Sequence, residues 1–342
     1  MTDSLNLSPL DELRDLVRNL PGPDQAAAEA ARARQKALTK PPGSLGRLED
    51  LAAWLAAWQG QHPPSIRQAM VVVYAGNHGV VAQGVAPYPQ SVTAQMVSNF
   101  RNGGAAINQI CESLGLGLQV FELGLEVPTG DITETAAMSE QECAATLVYG
   151  FEAVAAQLDL LCLGEMGIGN TTIASALCLA LFGGEPMDWV GPGTGLDQAG
   201  IRRKAEVVGR AVALHAEASG DPLAILTRLG GREFAAICGA IIGARMRQVP
   251  VVLDGFVCCA AAAVLHAIAP DALDHCVAGH RSAEPAHGRL LERLGKQPLL
   301  DLDMRLGEAT GAALAAGVLK SAAQIHRGMA TFAEAGVSGP KP

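Results

Sequence analysis

The stretch LDLLCLGEMGIGNTT, residues 158–172, decides the fold of this chain. Its first part, 158–163, is an apolar run of strand length, and a helix is predicted to begin at Ile173. The glycines between the two allow a sharp turn from strand to helix. A continuous apolar strand that leads directly into a helix is typical of a parallel sheet with both faces covered.

Similar apolar runs alternate with helix-length segments from Ala69 onwards. Strands and helices in alternation predict an α/β fold, with a parallel sheet and helices on both of its faces. In such sheets, ligands bind where the carboxyl ends of the strands meet the following loops. The further runs are 70–74, 118–121 and 249–253, with shorter candidates at 275–278 and 299–302.

The first 66 residues contain helices with no apolar strand between them. Helical spacing of leucines extends over 9–20, Asp24 is predicted to cap a second helix, and a leucine stripe from Leu45 to Trp58 predicts a third. Proline and glycine separate these helices, and the segment 62–65 resembles a linker that closes them off. We therefore predict a small helical domain before the α/β domain.

The composition favours a globular protein of the cytoplasm. Of 342 residues, 49% are hydrophobic and 17% charged, which suffices for a large core. The net charge of −9 argues against nucleic acid as a partner, and no uninterrupted apolar run reaches membrane-spanning length. Residues 1–9 are polar and lack the apolar core of a signal peptide. The eight cysteines form no CxxC pair and are predicted to be reduced core residues.

Two glycine-rich segments that precede helices are candidates for holding a phosphate. They are 164–172 and 191–197, and the helix after the second carries three basic residues at 202–204. Exposed N–H groups at a helix N-terminus favour an anion, although the first segment matches neither the P-loop nor GxGxxG. The alternatives are a tight turn capped by Thr171 or Thr172 and, for the basic residues, a solvated helix face.

The loop after the first strand, residues 77–90, is a candidate wall for an aromatic base. Tyr88 can stack on a flat ring, and Gln90 can hydrogen-bond to it. The alternative is an ordinary structured loop in which His78 bonds to the backbone.

Two histidines in the segment 280–287 raise the question of a metal site. Their spacing matches neither HExxH nor a common zinc pattern. A structural role is therefore favoured over ligation, and no metal is predicted.

Glu308 lies near two glycines at the mouth of a helix of small residues. A glutamate partly shielded from water can have a raised pKa and act as a base near neutral pH. It can equally be an acidic residue stabilised by the helix dipole. The pattern leaves both interpretations open.

Taken in order, these segments resemble the nicotinate-nucleotide–dimethylbenzimidazole phosphoribosyltransferase family. The likeness spans about Lys40 to Val337, and it depends on the joint order and spacing of its motifs. The matching stretches are 40–49, 77–80 with its loop, 92–97, 164–172, 191–197, 250–256, 280–287 and 305–313.

The resemblance implies a Rossmann-like parallel sheet with helices on both faces. It also implies a small helical domain over 1–66, completed by 322–342, and a catalytic α/β domain over 67–321. A homodimer with its active site near the subunit boundary is expected. The implied substrates are nicotinate mononucleotide and dimethylbenzimidazole, with no cofactor.

By the same resemblance, Glu308 matches the proposed general base and Glu165 a second acidic residue at the site. Tyr88 and Gln90 fall in the base-binding loop. The residues expected around the ribose phosphate are Gly167, Gly169, Asn170, Thr171, Gly193, Gly195 and Lys204.

The chain departs from the family pattern at two of these positions. Asn77 stands where members often have aspartate, so a charge is not required there in every member. Ala309 replaces the usual glycine after the glutamate, and we expect it to shift the backbone slightly without abolishing activity.

The implied reaction is displacement at the anomeric carbon of the nucleotide with inversion from β to α. Glu308 would accept a proton from the attacking base, and Glu165 would stabilise positive charge on the sugar. Two other functions are open to the pattern: a nucleotide-dependent oxidoreductase, although no GxGxxG follows the first strand, and a non-catalytic nucleotide-binding protein.

Overall fold

A five-stranded sheet forms the centre of the computed structural model, which describes residues 8–338. Its strands are β1 (Ala69–Ala75), β2 (Gly117–Glu122), β3 (Leu160–Met166), β4 (Val251–Leu253) and β5 (Cys276–Ala278). They lie in the order β2-β1-β3-β4-β5, and every neighbouring pair is parallel. The predicted α/β fold with a parallel sheet is confirmed.

Helices cover both faces of the sheet. They are α1 (Pro9–Arg18), α2 (Gln25–Ala37), α3 (Arg47–Gln59), α4 (Ser91–Arg101), α5 (Ala106–Leu114), α6 (Glu140–Glu152), α7 (Asn170–Phe182), α8 (Gln198–Leu214), α9 (Pro222–Leu229), α10 (Arg232–Met246), α11 (Phe256–Ile268), α12 (Pro285–Arg293), α13 (Thr310–Gly328) and α14 (Phe332–Ala335). Because successive side chains of a strand point to opposite faces, Val72 and Tyr74 of β1 pack in the core with α7, α10 and α11, while Val71 and Val73 pack against α5 and α13.

Two strand predictions need correction. The third apolar run extends past Leu163, so that Glu165 belongs to β3 and not to the loop after it. Pairing with β1 holds this end of the strand extended, since Glu165 stands opposite Tyr74. The run at 299–302 does not join the main sheet: β7 (Leu300–Asp301) pairs with β6 (His280–Arg281) in a separate two-stranded ladder.

The strand order changes direction between β1 and β3. From β1 the chain moves outward to β2 on one side, and it then returns to build β3, β4 and β5 on the other. The loops after β1 and β3 therefore leave the sheet in opposite directions and open a crevice at their carboxyl ends. Ligands of open α/β sheets bind at such a switch point.

The helical N-terminal segment divides between two parts of the molecule. Asp24 caps α2 by accepting a hydrogen bond from the Ala27 N–H at 2.9 Å, as predicted. Helices α2 and α3 pack against each other and against α13. In contrast, α1 contacts α6 and α11, and its Leu10 and Val17 lie in the main core.

The cysteines and the apolar helices of the described region contribute to its interior. All eight cysteines are buried and unbridged. Within residues 8–338, no helix combines the length and apolar character that crossing a membrane requires. The polar start of the chain, 1–7, and its last four residues, 339–342, lie outside the described residues.

Candidate active site

The candidate site is a cleft at the switch point, where β1 and β3 end side by side. Gly167 follows β3 and lies so close to β1 that a Cβ on it would stand 2.7 Å from the Gly76 carbonyl oxygen. Only glycine allows this approach of two backbones. The cleft has a volume of about 80 Å³. Its wall is formed by Glu165, Met166, Gly167, Ile168, Asn170, Thr171, Gly193, Thr194, Gly255, Phe256, Val257, His280, Ser282, Glu284, Arg305, Leu306 and Gly307.

The first glycine segment delivers the N-terminus of α7 to this cleft. The helix begins at Asn170, and its N-cap is Gly169 with a φ of 89° and no side-chain cap. The predicted alternative of a threonine cap is therefore wrong. The Asn170 amide donates to the Glu165 carboxylate, and the Thr93 hydroxyl accepts from the Ile168 N–H at 3.2 Å. These bonds hold the loop while the helix start faces the cleft.

The second glycine segment meets the first through Lys204. This lysine of α8 is fully buried, and its Nζ donates to the Thr171 Oγ1 at 2.8 Å and to the Gly191 carbonyl at 3.4 Å. Burial lowers the pKa of Lys204 to about 8, and the nearby Glu284 carboxylate partly opposes this. Lys204 lies behind Thr171, not on the cleft wall.

The three basic residues of α8 thus differ in environment. Arg202 and Arg203 are exposed, as the solvated-face interpretation predicts, whereas Lys204 turns inward. Helical periodicity places residue 204 on the same face as the buried positions Gly200, Val207 and Val208.

Glu308 lies at a strained turn between the cleft and α13. Gly307, Glu308 and Ala309 have successive φ values of 81°, 60° and 64°. Non-glycine residues pay about 1–2 kcal/mol for this left-handed conformation, and such strain concentrates at functional sites. The Glu308 N–H donates to the Glu165 carbonyl at 3.2 Å, which ties the turn to β3. Gly307 lines the cleft, and Glu308 follows it without itself being a wall residue.

Two carboxyl groups at this end of the sheet have pKa values near neutrality. Burial raises the pKa of Glu308 to about 7, with a further contribution from the negative charge of Asp254. Burial likewise raises the pKa of Glu165 to about 8, assisted by the charges of Asp254, Glu233 and Glu308 and opposed by the Asn170 hydrogen bond. Either group can therefore exchange a proton near neutral pH.

Tyr88 and Gln90 lie outside the cleft wall. The Tyr88 side chain is 51% exposed. The Gln90 amide donates to the His78 carbonyl at 2.9 Å, which holds its own loop together. The structure therefore does not bring these two residues into the wall with Glu165.

The His78 ring does not bond to the backbone, contrary to the alternative predicted for this loop. Its Nε2 lies 2.6 Å from the Glu233 Oε1, and both side chains are completely buried. Gly167 packs over this pair, so that a Cβ there would stand 3.1 Å from the Glu233 Oε1. The pair supports the floor beneath the first glycine segment.

The histidines at 280 and 287 have separate surroundings. His287 is buried, accepts from the Ser282 N–H through Nδ1 at 2.8 Å and lies 3.3 Å from the Cys259 sulfur, which is a structural role. His280, in contrast, is one of the residues that line the cleft. Over 8–338, no three His, Cys, Asp or Glu side chains are grouped to hold a metal ion.

Several wall residues were missed as individual functional candidates. Arg305 brings an exposed guanidinium to the cleft and donates from Nη1 to the Gly193 carbonyl at 2.8 Å. His280, Ser282 and Glu284 reach the wall from alternate positions, while the residues between them are exposed. The alternation of these polar residues at every second position is visible in the sequence. A short polar segment does not, however, indicate which of its two sides faces a ligand.

The two departures from the family pattern are accommodated by local contacts. The Asn77 amide donates to the Leu125 carbonyl at 2.9 Å in a buried position. The Ala309 methyl packs against Gly164, where an added Cβ would stand 2.4 Å from it.

Comparisons with known proteins agree with one another. The family model described as Phosphoribosyltransferase matches residues 20–337. The nicotinate-nucleotide–dimethylbenzimidazole phosphoribosyltransferase of Brucella anthropi is 62% identical over 333 residues, covering 97% of this chain and 98% of that protein. The protein of the same name from Sinorhizobium fredii is 62% identical over 330 residues, covering 96% of this chain and 97% of that protein. The crystal structure of the Thermus thermophilus protein of that name has a TM-score of 0.86 at 43% identity and covers 93% of this chain and 100% of its own.

Proposed function

This chain belongs to the nicotinate-nucleotide–dimethylbenzimidazole phosphoribosyltransferase family, and we propose that it transfers the 5-phosphoribosyl group of nicotinate mononucleotide to 5,6-dimethylbenzimidazole. The products are α-ribazole 5′-phosphate, an intermediate for the nucleotide loop of cobalamin, and nicotinate. The family makes the chain a pentosyltransferase, which favours transfer over both the oxidoreductase and the non-catalytic alternative.

One observation carries the proposal. At the switch point, two glycine segments joined through Lys204 and Thr171 lie beside two carboxyl groups with pKa values near neutrality. The glycine segments and the start of α7 suit an anionic sugar phosphate. The carboxyl groups suit the removal of a proton from a heteroaromatic nitrogen. We propose that both requirements of the reaction are met at this end of the sheet.

In the proposed mechanism, one benzimidazole nitrogen attacks C1′ of the nucleotide from the face opposite nicotinate. The new C1′–N bond forms as the bond to the pyridinium nitrogen breaks, and the bonding pair leaves with nicotinate. The configuration at C1′ is inverted. Glu308 accepts the proton from the second benzimidazole nitrogen, which keeps the attacking nitrogen electron-rich. Glu165 in its ionised form stabilises the positive charge that develops on the sugar, and its pKa of about 8 makes this form more abundant as pH rises through 8.

The phosphate is proposed to lie along the wall made by the two glycine segments. Gly167, Gly169, Asn170 and Thr171 provide the helix start, and Gly193 and Gly195 provide the second loop. Lys204 contributes its charge through Thr171, while Arg305 supplies a second cation at the cleft itself.

Tyr88 and Gln90 remain the proposed base-binding residues. The exposed ring of Tyr88 offers a flat surface on which a benzimidazole can stack. Because these residues lie outside the wall of the separate chain, we propose that the base pocket is completed in a homodimer whose subunit boundary passes near the cleft. A helical domain formed by 1–66 with 322–342, a catalytic domain over 67–321 and a cytoplasmic location likewise stay proposals.

Glu308→Gln tests the assignment of the general base. The amide is close in size to the carboxylate but cannot take up a proton, so we expect kcat to fall by about 10²-fold or more. The affinity for nicotinate mononucleotide, measured by calorimetry, should change little. Glu292→Gln, at an exposed position of α12, is the matched control and should behave as the unaltered enzyme. Near-normal turnover by Glu308→Gln would remove the base assignment.

A further inference from the structure

Helix α13 begins directly after Glu308 and lacks a cap of its own. Its N-cap residue is Ala309, whose side chain makes no capping hydrogen bond and whose φ is 64°. The first N–H groups of a helix have no partner within the helix and need one from elsewhere. This helix start is buried, because Ala309, Thr310 and Gly311 are all shielded from water. A partner must therefore come from another element.

Asp254, the residue after β4, supplies that partner. Its Oδ1 accepts from the Ala312 N–H at 2.9 Å, and the N–H groups of Gly311 and Ala309 also face the carboxylate. The side chain is 1% exposed, so water does not compete for the bond from Ala312. One N–H group of the first turn of α13 thus bonds to a carboxyl group that lies 58 positions away in the chain.

The position of Asp254 is electrostatically unfavourable. Its charge acts on both Glu165 and Glu308, whose pKa values it raises, and the basic group that faces it is the His280 Nε2, 3.6 Å from the Asp254 Oδ1. A third buried carboxylate beside two others is costly unless it is held by donors. The Ala312 N–H is such a donor for Oδ1, while Oδ2 has no hydrogen-bond partner within residues 8–338, so the bond to the start of α13 is the contact that this buried position provides.

We propose that Asp254 is a positioning residue for the transfer reaction. By capping α13 from outside, it holds the left-handed turn 307–309 and thereby aims the Glu308 carboxylate at the cleft. The proposal rests on the proposed function in that Glu308 is the base. It adds Asp254 as a residue that affects catalysis indirectly, by holding the backbone of Glu308 in place.

Paired variants separate the cap from the charge. Asp254→Asn keeps an oxygen that accepts from the Ala312 N–H but removes the charge, whereas Asp254→Ala removes both. Asp24→Ala removes the side-chain cap of α2, away from the cleft, and serves as the matched control. Each protein is first shown to be folded by its thermal transition.

The first readout is amide hydrogen exchange over residues 303–314, which needs no substrate. Asp254→Ala should exchange about tenfold faster there, because the helix start opens more often, while the Asn and Asp24→Ala variants stay within about threefold. The second readout is the kinetics with nicotinate mononucleotide and dimethylbenzimidazole. Misplacement of a catalytic group by about 1 Å can cost up to 10²-fold in rate, so kcat of Asp254→Ala should fall by at least tenfold with a nearly constant KM for the nucleotide.

Unchanged exchange in Asp254→Ala would overturn the proposal, and so would a loss of kcat in Asp254→Asn equal to that in Asp254→Ala. If the unaltered enzyme fails to form product, the proposed function is wrong, but the exchange data still decide whether Asp254 holds the turn. If Asp254→Ala does not fold, Asp254→Ser is compared with Asp254→Asn instead. The serine hydroxyl lies on a shorter side chain, so the increase in amide exchange and the loss of kcat should be smaller but in the same direction.

Discussion

At the scale of single residues, the proposed chemistry depends on how burial acts on the pKa values of carboxyl groups. Transfer of an ionised carboxylate away from water is costly, so Glu308 and Glu165 retain their protons to higher pH than exposed glutamates do. A base with a pKa near the working pH is both substantially deprotonated and basic enough to accept a proton. Burial thus raises the pKa values of two ordinary glutamates to near neutrality.

The proposed role of Glu308 as the base predicts how the reaction depends on pH. Its base form is the ionised one, and its pKa is about 7, so kcat/KM should rise as pH increases through about 7 and then level off. Initial rates between about pH 5.5 and 8.5 measure this limb. It should be absent from the residual activity of Glu308→Gln, and a limb that persists unchanged in that variant would contradict the assignment.

Gly164 illustrates a steric requirement at a single position. A Cβ there would stand 2.3 Å from the Ala309 backbone nitrogen, so Gly164→Ala must displace the Glu308 turn or the strand. We expect a loss of about 3 kcal/mol or more in the free energy of unfolding, measured by urea denaturation. Gly22→Ala, where an added Cβ has no atom within 4 Å, is the control and should be nearly neutral. Equal effects of both variants would show that the contact at Gly164 is relieved easily.

At the scale of elements, two helix starts and two strand ends combine to form the cleft. The start of α7 comes directly from β3, whereas α8 reaches the same place through Lys204, 33 positions after Thr171. The start of α13 reaches it through the bond from Glu308 to β3. Parallel strands end at one edge of the sheet, and the elements that follow them are therefore gathered there.

Helix α8 provides a matched pair of substitutions. Lys204→Met keeps the length of the side chain but removes a buried charge and its two hydrogen bonds, so the variant is first shown to be folded by its thermal transition. Binding of nicotinate mononucleotide should weaken by roughly 10- to 100-fold, because the positive charge that acts on the phosphate through Thr171 is lost. Arg202→Met, on the exposed face of the same helix, should leave the dissociation constant unchanged. Calorimetry with both variants checks this, and equal affinities would exclude a phosphate role for Lys204.

At the scale of the whole molecule, buried titratable groups make stability depend on pH in two opposite ways. Burial lowers the pKa of His275 and of His287 to about 3 and that of His326 to about 4. Unfolding lets these histidines take up protons, so stability is lost as pH falls below about 6.5. Glu165 and Glu308 hold protons in the folded state that the unfolded chain has already released, so stability is lost as pH rises from about 4.5 towards 8.

The two effects together predict a stability maximum near pH 6.5. The histidine contribution is nearly complete there, while Glu308 continues to destabilise the fold until about pH 7 and Glu165 until about pH 8, each by about 1.4 kcal/mol per pH unit at most. Thermal transitions recorded from pH 5 to 8.5 test this. Glu165→Gln, which has no proton to release, should show a shallower decline above pH 6.5. A decline as steep as that of the unaltered protein would show that Glu165 does not contribute.

The proposed homodimer is also a property of the whole molecule. Sedimentation equilibrium at micromolar concentration should give twice the 35.3 kDa of the chain. A monomer that nonetheless turns over both substrates would contradict the proposal that the base pocket is completed across a subunit boundary.

The sequence by itself determined the fold class, the main strands and helices and the family. These depend on local patterns: continuous apolar runs bury a strand on both faces, glycine permits sharp turns, and aspartate caps the helix that follows it. The ordered motifs predicted Glu308, Glu165 and the glycine segments as candidate site residues.

Only the tertiary structure decided which side chains meet. It set Lys204 behind Thr171, paired His78 with Glu233 and brought Asp254 to the start of α13, all across long separations in the chain. It also extended β3 through Glu165, because pairing with β1 outweighs the local preference of glycine for a turn. Periodicity reports which face of an element is buried, whereas contacts between distant residues depend on how the elements are arranged in space.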